Sequence, residues 1–247
     1  MKLLPLAAIL ALASCSPTPP AGPRQSSNDS VVAAIRSMPH GKGYEASQKA
    51  VDRLAANVSL KGSRFEQDFK GIGPTFCSGA TYLVFLKSIE QYALPKKALA
   101  LLADLDAKDG EKVFGRWNAN GPGTAKLFAD LGCGVNFTSF ESARPGDFLK
   151  LWWTEAIGGK ERGHLVVYLG HNDQEVTFWS ANEPGGYGRK SVRRTQIKHH
   201  LFSRLTRPSR LPRVTRLSSS DPFLADMLRR DFTWSQVVRE CRVSNTP

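Results

Sequence analysis

The stretch GPTFCSGATYLVFL, Gly73 to Leu86, places a Gly-Pro breaker and a single cysteine directly ahead of an apolar run. Leu83, Leu86, Ile89 and Ala93 recur at helical spacing, and Tyr82, Phe85 and Tyr92 widen their face. That pattern predicts a helix with Thr75 as N-cap and Cys77 in the first turn. Upstream, Ala46, Ala50, Val51, Leu54, Ala55 and Val58 predict a helix over 45–60, after a short one over 30–37 and before a loop, KGSRFEQDFKGIGP. Downstream, helices are expected over 96–107 and 124–131, the latter stopped at Gly132. The period then changes. GDFLKLWW, GHLVVYLG and EVTFWSAN read as strands, and YGRKSVRRTQI as a further strand or a strand-to-helix corner. DPFLADMLRRDFTWSQVVREC closes the chain as one or two amphipathic helices begun at Asp221-Pro222. Helices followed by strands predict an α+β fold, with N-terminal helices packed on an antiparallel sheet and a helical C-terminal extension.

The start of the chain, MKLLPLAAILALASC, has Lys2, an apolar run too short to span a bilayer, and small residues before Cys15. It reads as an export signal, and Leu12-Ala13-Ser14-Cys15 resembles the lipobox of bacterial lipoproteins. This implies a signal peptide over 1–14, lipidation at Cys15, and a Pro/Ser-rich tether through residue 44. Ser16 resembles the residue that follows the lipidated cysteine in lipoproteins sorted to the outer membrane, so the expected location is the periplasmic side of the envelope.

The 247 residues carry a formal charge of +12, which suits an anionic partner. Export and the lack of zinc-finger or RNP-like patterns argue against nucleic acid. The run 189–216, RKSVRRTQIKHHLFSRLTRPSRLPRVTR, is expected either as a solvated face or as a contact with membrane or wall. Four cysteines are present. With Cys15 lipidated, three remain in an oxidising compartment, and a Cys133–Cys241 disulfide that leaves Cys77 free is the economical split.

A cysteine beside an apolar run is more often a buried structural residue than a nucleophile. Thiol catalysis needs a base within reach and a group that orients the base. A helix start adds N–H groups and positive potential, which favour the thiolate. Among five histidines, His164 opens the apolar strand GHLVVYLG and shares a face with Val166 and Tyr168. Ser180 and Asn182, on the next strand, share a face with Phe178, and either could orient the ring. The amide carbonyl of Asn182 is favoured because it can fix the imidazole tautomer. Ser78, Trp117, Asn118 and Asn120 are candidate groove residues, with a structured loop before the Gly121-Pro122-Gly123 turn as the competing reading for the last three.

Cys-Ser-Gly opening a helix, then ARPGDFLKLWW, then GHLVVYLG and a polar strand, over about residues 71–188, resembles the NlpC-type papain-like peptidases of bacterial cell walls. The resemblance implies a papain-like catalytic domain over 45–216, followed by the extension over 217–247. It implies cleavage of amide bonds in peptidoglycan stem peptides, with Cys77 as nucleophile, His164 as base, and Asn182 or Ser180 as third member. Neither metal nor cofactor is expected, and a monomer is. The sequence departs from the family at Phe76, where many members carry Asp, and at KGIGPT, which replaces the usual tyrosine-containing lead-in. An acyltransferase on the same core and a non-catalytic envelope-binding lipoprotein are the alternative readings.

Overall fold

The computed structural model describes residues 26–104, 117, 121–159, 163–227 and 229–244. The signal stretch, Cys15, Asn118 and Asn120 lie outside these. Every residue of helix α4 (Cys77–Ile89) except Lys87 is buried. Tyr82 to Leu86 are five consecutive large apolar residues, so no helical face can be left to solvent and the helix must be enclosed. One side is covered by α1 (Ser27–Arg36), which buries Val31 and Ala34. Between α1 and α4 in the chain come β1 (Gly41–Lys42), α2 (Gln48–Ala56), the hairpin β2 (Val58–Lys61) and β3 (Arg64–Gln67), and α3 (Phe69–Ile72). The helices α5 (Lys96–Leu102) and α6 (Gly123–Leu131) follow.

The remaining strands are β4 (Gly134–Phe137), β5 (Phe148–Trp152), β6 (Gly163–His171), β7 (Glu175–Asn182), β8 (Gly186–Arg193) and β9 (His199–Leu205). After them come α7 (Pro222–Met227), α8 (Trp234–Glu240) and β10 (Val243–Ser244). Eight strands form one sheet in the order β1-β8-β7-β6-β5-β9-β4-β10, antiparallel at every pairing except β10 with β4. The architecture is mixed α+β with a large, mostly antiparallel sheet. Alternation divides its side chains. Phe148, Leu165, Val167, Trp179 and Ala181 join the core around α4. Leu149, Leu151, Val166, Tyr168 and Phe178 pack on the other face with Phe137 and Phe202. Trp152 and Leu201 meet α7 and α8 in a third cluster.

The RPGD motif is a structural pin. Asp147 is fully buried, and its carboxylate accepts from Arg204 Nε and Nη2 at 2.7 and 2.6 Å, from Asn28 at 2.8 Å, and from the Arg144 N–H at 2.8 Å. One side chain therefore joins β9, α1 and the turn leading into β5. Gly146 (φ +93°) allows the close approach, since a Cβ there would meet Asn28 O at 2.5 Å.

Several expectations are corrected. Residues 27–44 are not spacer, because α1 packs into the core and β1 joins the sheet. The helix over 45–60 ends at Ala56, its expected last turn is instead strand β2, and the stretch expected as loop holds β3, which pairs with β2 across Gly62 (φ +64°), and α3. The basic run over 189–216 is not one surface. It contains β8 and the interior strand β9, where Leu201, Phe202, Ser203 and Leu205 are buried. Arg210 and Arg213 donate to Gly132 O at 3.1 Å and Leu131 O at 3.4 Å, where α6 ends in unsatisfied carbonyls. The C-terminal extension adds a strand to the sheet besides its helices. Among the described residues, no helix is long and apolar enough to cross a membrane.

Candidate active site

Cys77 is the first residue of α4, and the N-cap is Phe76, not Thr75. Phe76 is extended (φ −110°, ψ 168°) and offers no capping side chain, so no side-chain cap takes up the N–H groups of the first turn. Thr75 instead pairs with Tyr44 in an isolated parallel bridge, and Glu45 N–H donates to Thr75 O at 3.0 Å. The glycine of Cys-Ser-Gly has a steric cause. A Cβ on Gly79 would stand 2.6 Å from Thr75 Oγ1 and 2.8 Å from Leu54, so only glycine lets α2 close on this turn.

The thiol reaches His164 through a local opening in the sheet. The β6–β7 register runs from His171↔Val176 to Val167↔Trp179, and beyond it the backbone of Leu165 has other partners. Its carbonyl accepts from Ser180 Oγ at 2.9 Å, and its N–H faces the Cys77 sulfur, where it favours the thiolate. Ser180 Oγ also lies 3.4 Å from Cys77 O. The start of α4 is thus seated where the two strands lose their ladder. His164 belongs by alternation to the opposite face from Leu165, yet it meets Cys77 because the helix end sits in that opening.

His164 is half-buried, and its Nε2 lies 3.1 Å from Asn182 Oδ1. Asn182 Nδ2 donates to Gly188 O at 2.9 Å and Ser180 O at 3.2 Å, which fixes the amide with its oxygen toward the ring. Nε2 therefore carries the proton, and Nδ1 is left for the thiol. Phe178 lies edge-on to the imidazole at 5.5 Å between centroids, and Trp153 stands at 6.5 Å.

Burial pushes the Cys77 thiol up, but the charge and hydrogen bond of His164 oppose it, aided by the Leu165 N–H and the charge of Lys150, and the thiol comes down to about 7. Burial, the facing Cys77 side chain and Glu183 hold the Tyr44 phenol well above its ordinary range, so it stays a neutral donor. Its hydroxyl faces the Cys77 side chain and the start of α4. The other thiols are unlike Cys77. Burial pushes Cys133 up to about 12 and Cys241 higher still.

The expected Cys133–Cys241 disulfide is corrected: all three described cysteines are free. Cys133 packs in the core around α4 and Cys241 in the cluster under α8, so the two belong to different packing units. Cys77 is set apart by its surroundings and not by being left over. Asn182, not Ser180, meets the imidazole, since Ser180 is engaged by backbone carbonyls. Trp117 is not a groove residue. It is 1 % exposed, stacks on Phe85 at 4.5 Å and donates to Thr81 Oγ1 at 3.2 Å. Ser78 is buried beside the thiol, and its hydroxyl has no partner among the described residues. Sequence reasoning missed Tyr44 and Lys150. The first lies 33 positions upstream in a loop and is brought in by the Thr75 bridge. The second is a charge in an apolar strand, and that misfit was its signal.

A cavity of about 1040 Å³ opens elsewhere, between α1, the end of α4 and the segment 208–212. Its Arg204 is engaged by Asp147, and it holds none of the thiol cluster. Comparison with protein-family models, with curated proteins and with solved structures gives no match for this chain.

Proposed function

We propose that this protein is a papain-like cysteine hydrolase of the NlpC type that cleaves amide bonds in peptidoglycan stem peptides. The observation that carries the reading is the ordered chain from Cys77 to His164 to Asn182, with the ring proton fixed on Nε2. A merely buried cysteine has no need of an imidazole, a backbone N–H and a cation around its sulfur.

In the proposed reaction the Cys77 thiolate attacks the scissile carbonyl, and the new oxyanion is met by the Cys77 N–H and the Tyr44 hydroxyl. Protonated His164 then gives its Nδ1 proton to the leaving amine as the C–N bond breaks, and a thioester remains. A water loses a proton to Nδ1, adds to the thioester carbonyl, and releases the carboxylate and the thiolate. Asn182 holds the ring in one orientation throughout. No cofactor takes part in this scheme.

The substrate class and the setting rest on the motif resemblance and on the lipobox-like start. The enzyme would be anchored through Cys15 on the periplasmic side of the outer membrane. Arg189, Lys190, Arg193, Lys198 and Arg216 remain exposed on the basic segment. They suit an acidic bilayer or wall polymer, at about 1 kcal/mol for each base near an acidic bilayer surface. The test is mass spectrometry of purified peptidoglycan after incubation with the wild type and with Cys77→Ala. New muropeptides are expected with the wild type only, and identical profiles would overturn the assignment.

A further inference from the structure

Arginine recurs at every third position near the end of the basic run, at Arg207, Arg210, Arg213 and Arg216. A second row with the same period, Pro208, Leu211, Val214 and Leu217, is apolar. Pro208–Arg216 is a 3₁₀ helix, in which residues three apart stand above one another. The apolar row packs into the core around α4, where Leu211 and Val214 are fully buried, and the segment rests on α5 and α6. The arginine row is thereby turned outward, with Arg207, Arg213 and Arg216 exposed and Arg210 half-buried. Its pitch is about 6 Å, from the ~2 Å rise per residue.

The row carries more charge than a helix cap needs. Arg210 and Arg213 reach the end of α6, where a Cβ on Gly132 would stand 3.1 and 3.6 Å from their Nη1 atoms. A helix end is equivalent to about half a negative charge, and the cap uses a single N–H of each guanidinium. Among the described residues, no carboxylate forms an ion pair with any of the four arginines. The charge of Arg207, then its own burial and the charge of Arg213, hold Arg210 below the usual arginine range. From the third row, Ser209 and Pro212 line the same cavity of about 1040 Å³ as Ser26 and Ser27. The arginines therefore lie beside the start of α1, and residues 16–25 connect that point to Cys15 over at most about 40 Å.

We infer that Arg207, Arg210, Arg213 and Arg216 form a docking strip for the phosphate headgroups of an acidic bilayer, which seats the domain on the membrane beside its tether. The choice of a bilayer over another polyanion rests on the lipid-anchored setting proposed above. A guanidinium fork takes phosphate oxygens two at a time. Side chains that converge would suit one bound anion, whereas a straight row of even pitch suits a surface that carries many.

The test is co-sedimentation of the full chain carrying Cys15→Ser, which takes no lipid, with two kinds of vesicle. One is phosphatidylglycerol mixed with phosphatidylcholine, and the other is phosphatidylcholine alone. The ratio of the two partition coefficients is read, so that the apolar stretch 3–13 contributes to both and cancels. Neither lipidation nor hydrolysis enters, so failure of those readings and failure of the strip are told apart. Arg207→Gln with Arg216→Gln removes the two arginines whose side chains bond no described residue. The ratio is expected to fall about 30-fold, at about fivefold for each base near an acidic surface. Arg189→Gln with Lys190→Gln removes the same charge from exposed positions of β8, four strands along the sheet from β9. That separation, about 19 Å, exceeds the Debye length, and the ratio is expected to stay within about threefold of the parent chain. A wild-type circular dichroism spectrum and melt confirm the fold of each variant. Equal losses from the two pairs overturn the inference, because net charge alone would then account for binding. So does a ratio that the Arg207 and Arg216 pair leaves unmoved, including the case in which that pair lowers binding to purified peptidoglycan instead.

Discussion

His164 presents Nε2 to the side-chain carbonyl of Asn182 at 3.1 Å, and the amide of Asn182 is itself fixed by the carbonyls of Gly188 and Ser180. The ring orientation is thus set two bonds away from the chemistry, by the backbone of β7 and β8. Asn182→Ala removes the acceptor and lets the imidazole turn. A misplaced catalytic group costs about 10²-fold in rate, so kcat on muropeptides is expected to fall by that order with KM little changed. A kcat within twofold of wild type would remove Asn182 from the proposed triad.

The lowered thiol of Cys77 makes a pH prediction whose sign is definite. Below about 7 the sulfur is protonated and unreactive, and the thiolate fraction rises tenfold per unit until it levels off above that value. Alkylation of Cys77 in the native protein is therefore expected to rise through pH 7 and reach a plateau near 8. Cys133 and Cys241, whose thiols burial raises, are expected to stay unmodified over the same range until the protein is denatured. Equal labelling of the three native cysteines at pH 7 would contradict the picture.

Asp147 is where a motif read for function proves to carry stability. Removing its carboxylate leaves the Arg204 guanidinium, 12 % exposed, without its counter-charge. Breaking a buried pair from one side costs about 3–5 kcal/mol. Asp147→Ala is expected to lose that much in urea unfolding. The double change Asp147→Leu with Arg204→Met is expected to recover most of it, because no uncompensated charge then remains. A single variant within about 1 kcal/mol of wild type would show that the pin is dispensable.

The helix of Cys77, the strand of His164 and the acceptor on Asn182 were legible because each depends on local pattern. A Gly-Pro breaker, a β-branched run between glycines and a period of two act within a few residues. What escaped depends on distant partners. β9 reads in sequence as part of a basic surface, solvated or set against membrane or wall, because Arg204, His199 and His200 mask Leu201, Phe202 and Leu205. The carboxylate that accepts Arg204 lies 57 positions earlier. The polar loop around Trp117 suggests a groove or a structured loop, yet the ring is claimed by Phe85 and Phe148. The disulfide was inferred by counting thiols, and counting takes no account of which cluster each cysteine packs in.

Tyr44 gives the sharpest division between binding and chemistry. Its hydroxyl faces the Cys77 thiol and the start of α4, while the ring packs against the core around α4. Tyr44→Phe keeps the ring and its packing and removes one donor at the point where the oxyanion forms. Loss of one such donor costs about 10²–10³ in kcat. The expected result is that fall in muropeptide turnover, with the melting temperature unchanged and Cys77 still alkylated at the wild-type rate or faster. If turnover is unaffected while alkylation is also unaffected, Tyr44 is a packing residue and the oxyanion is held by the start of α4 alone.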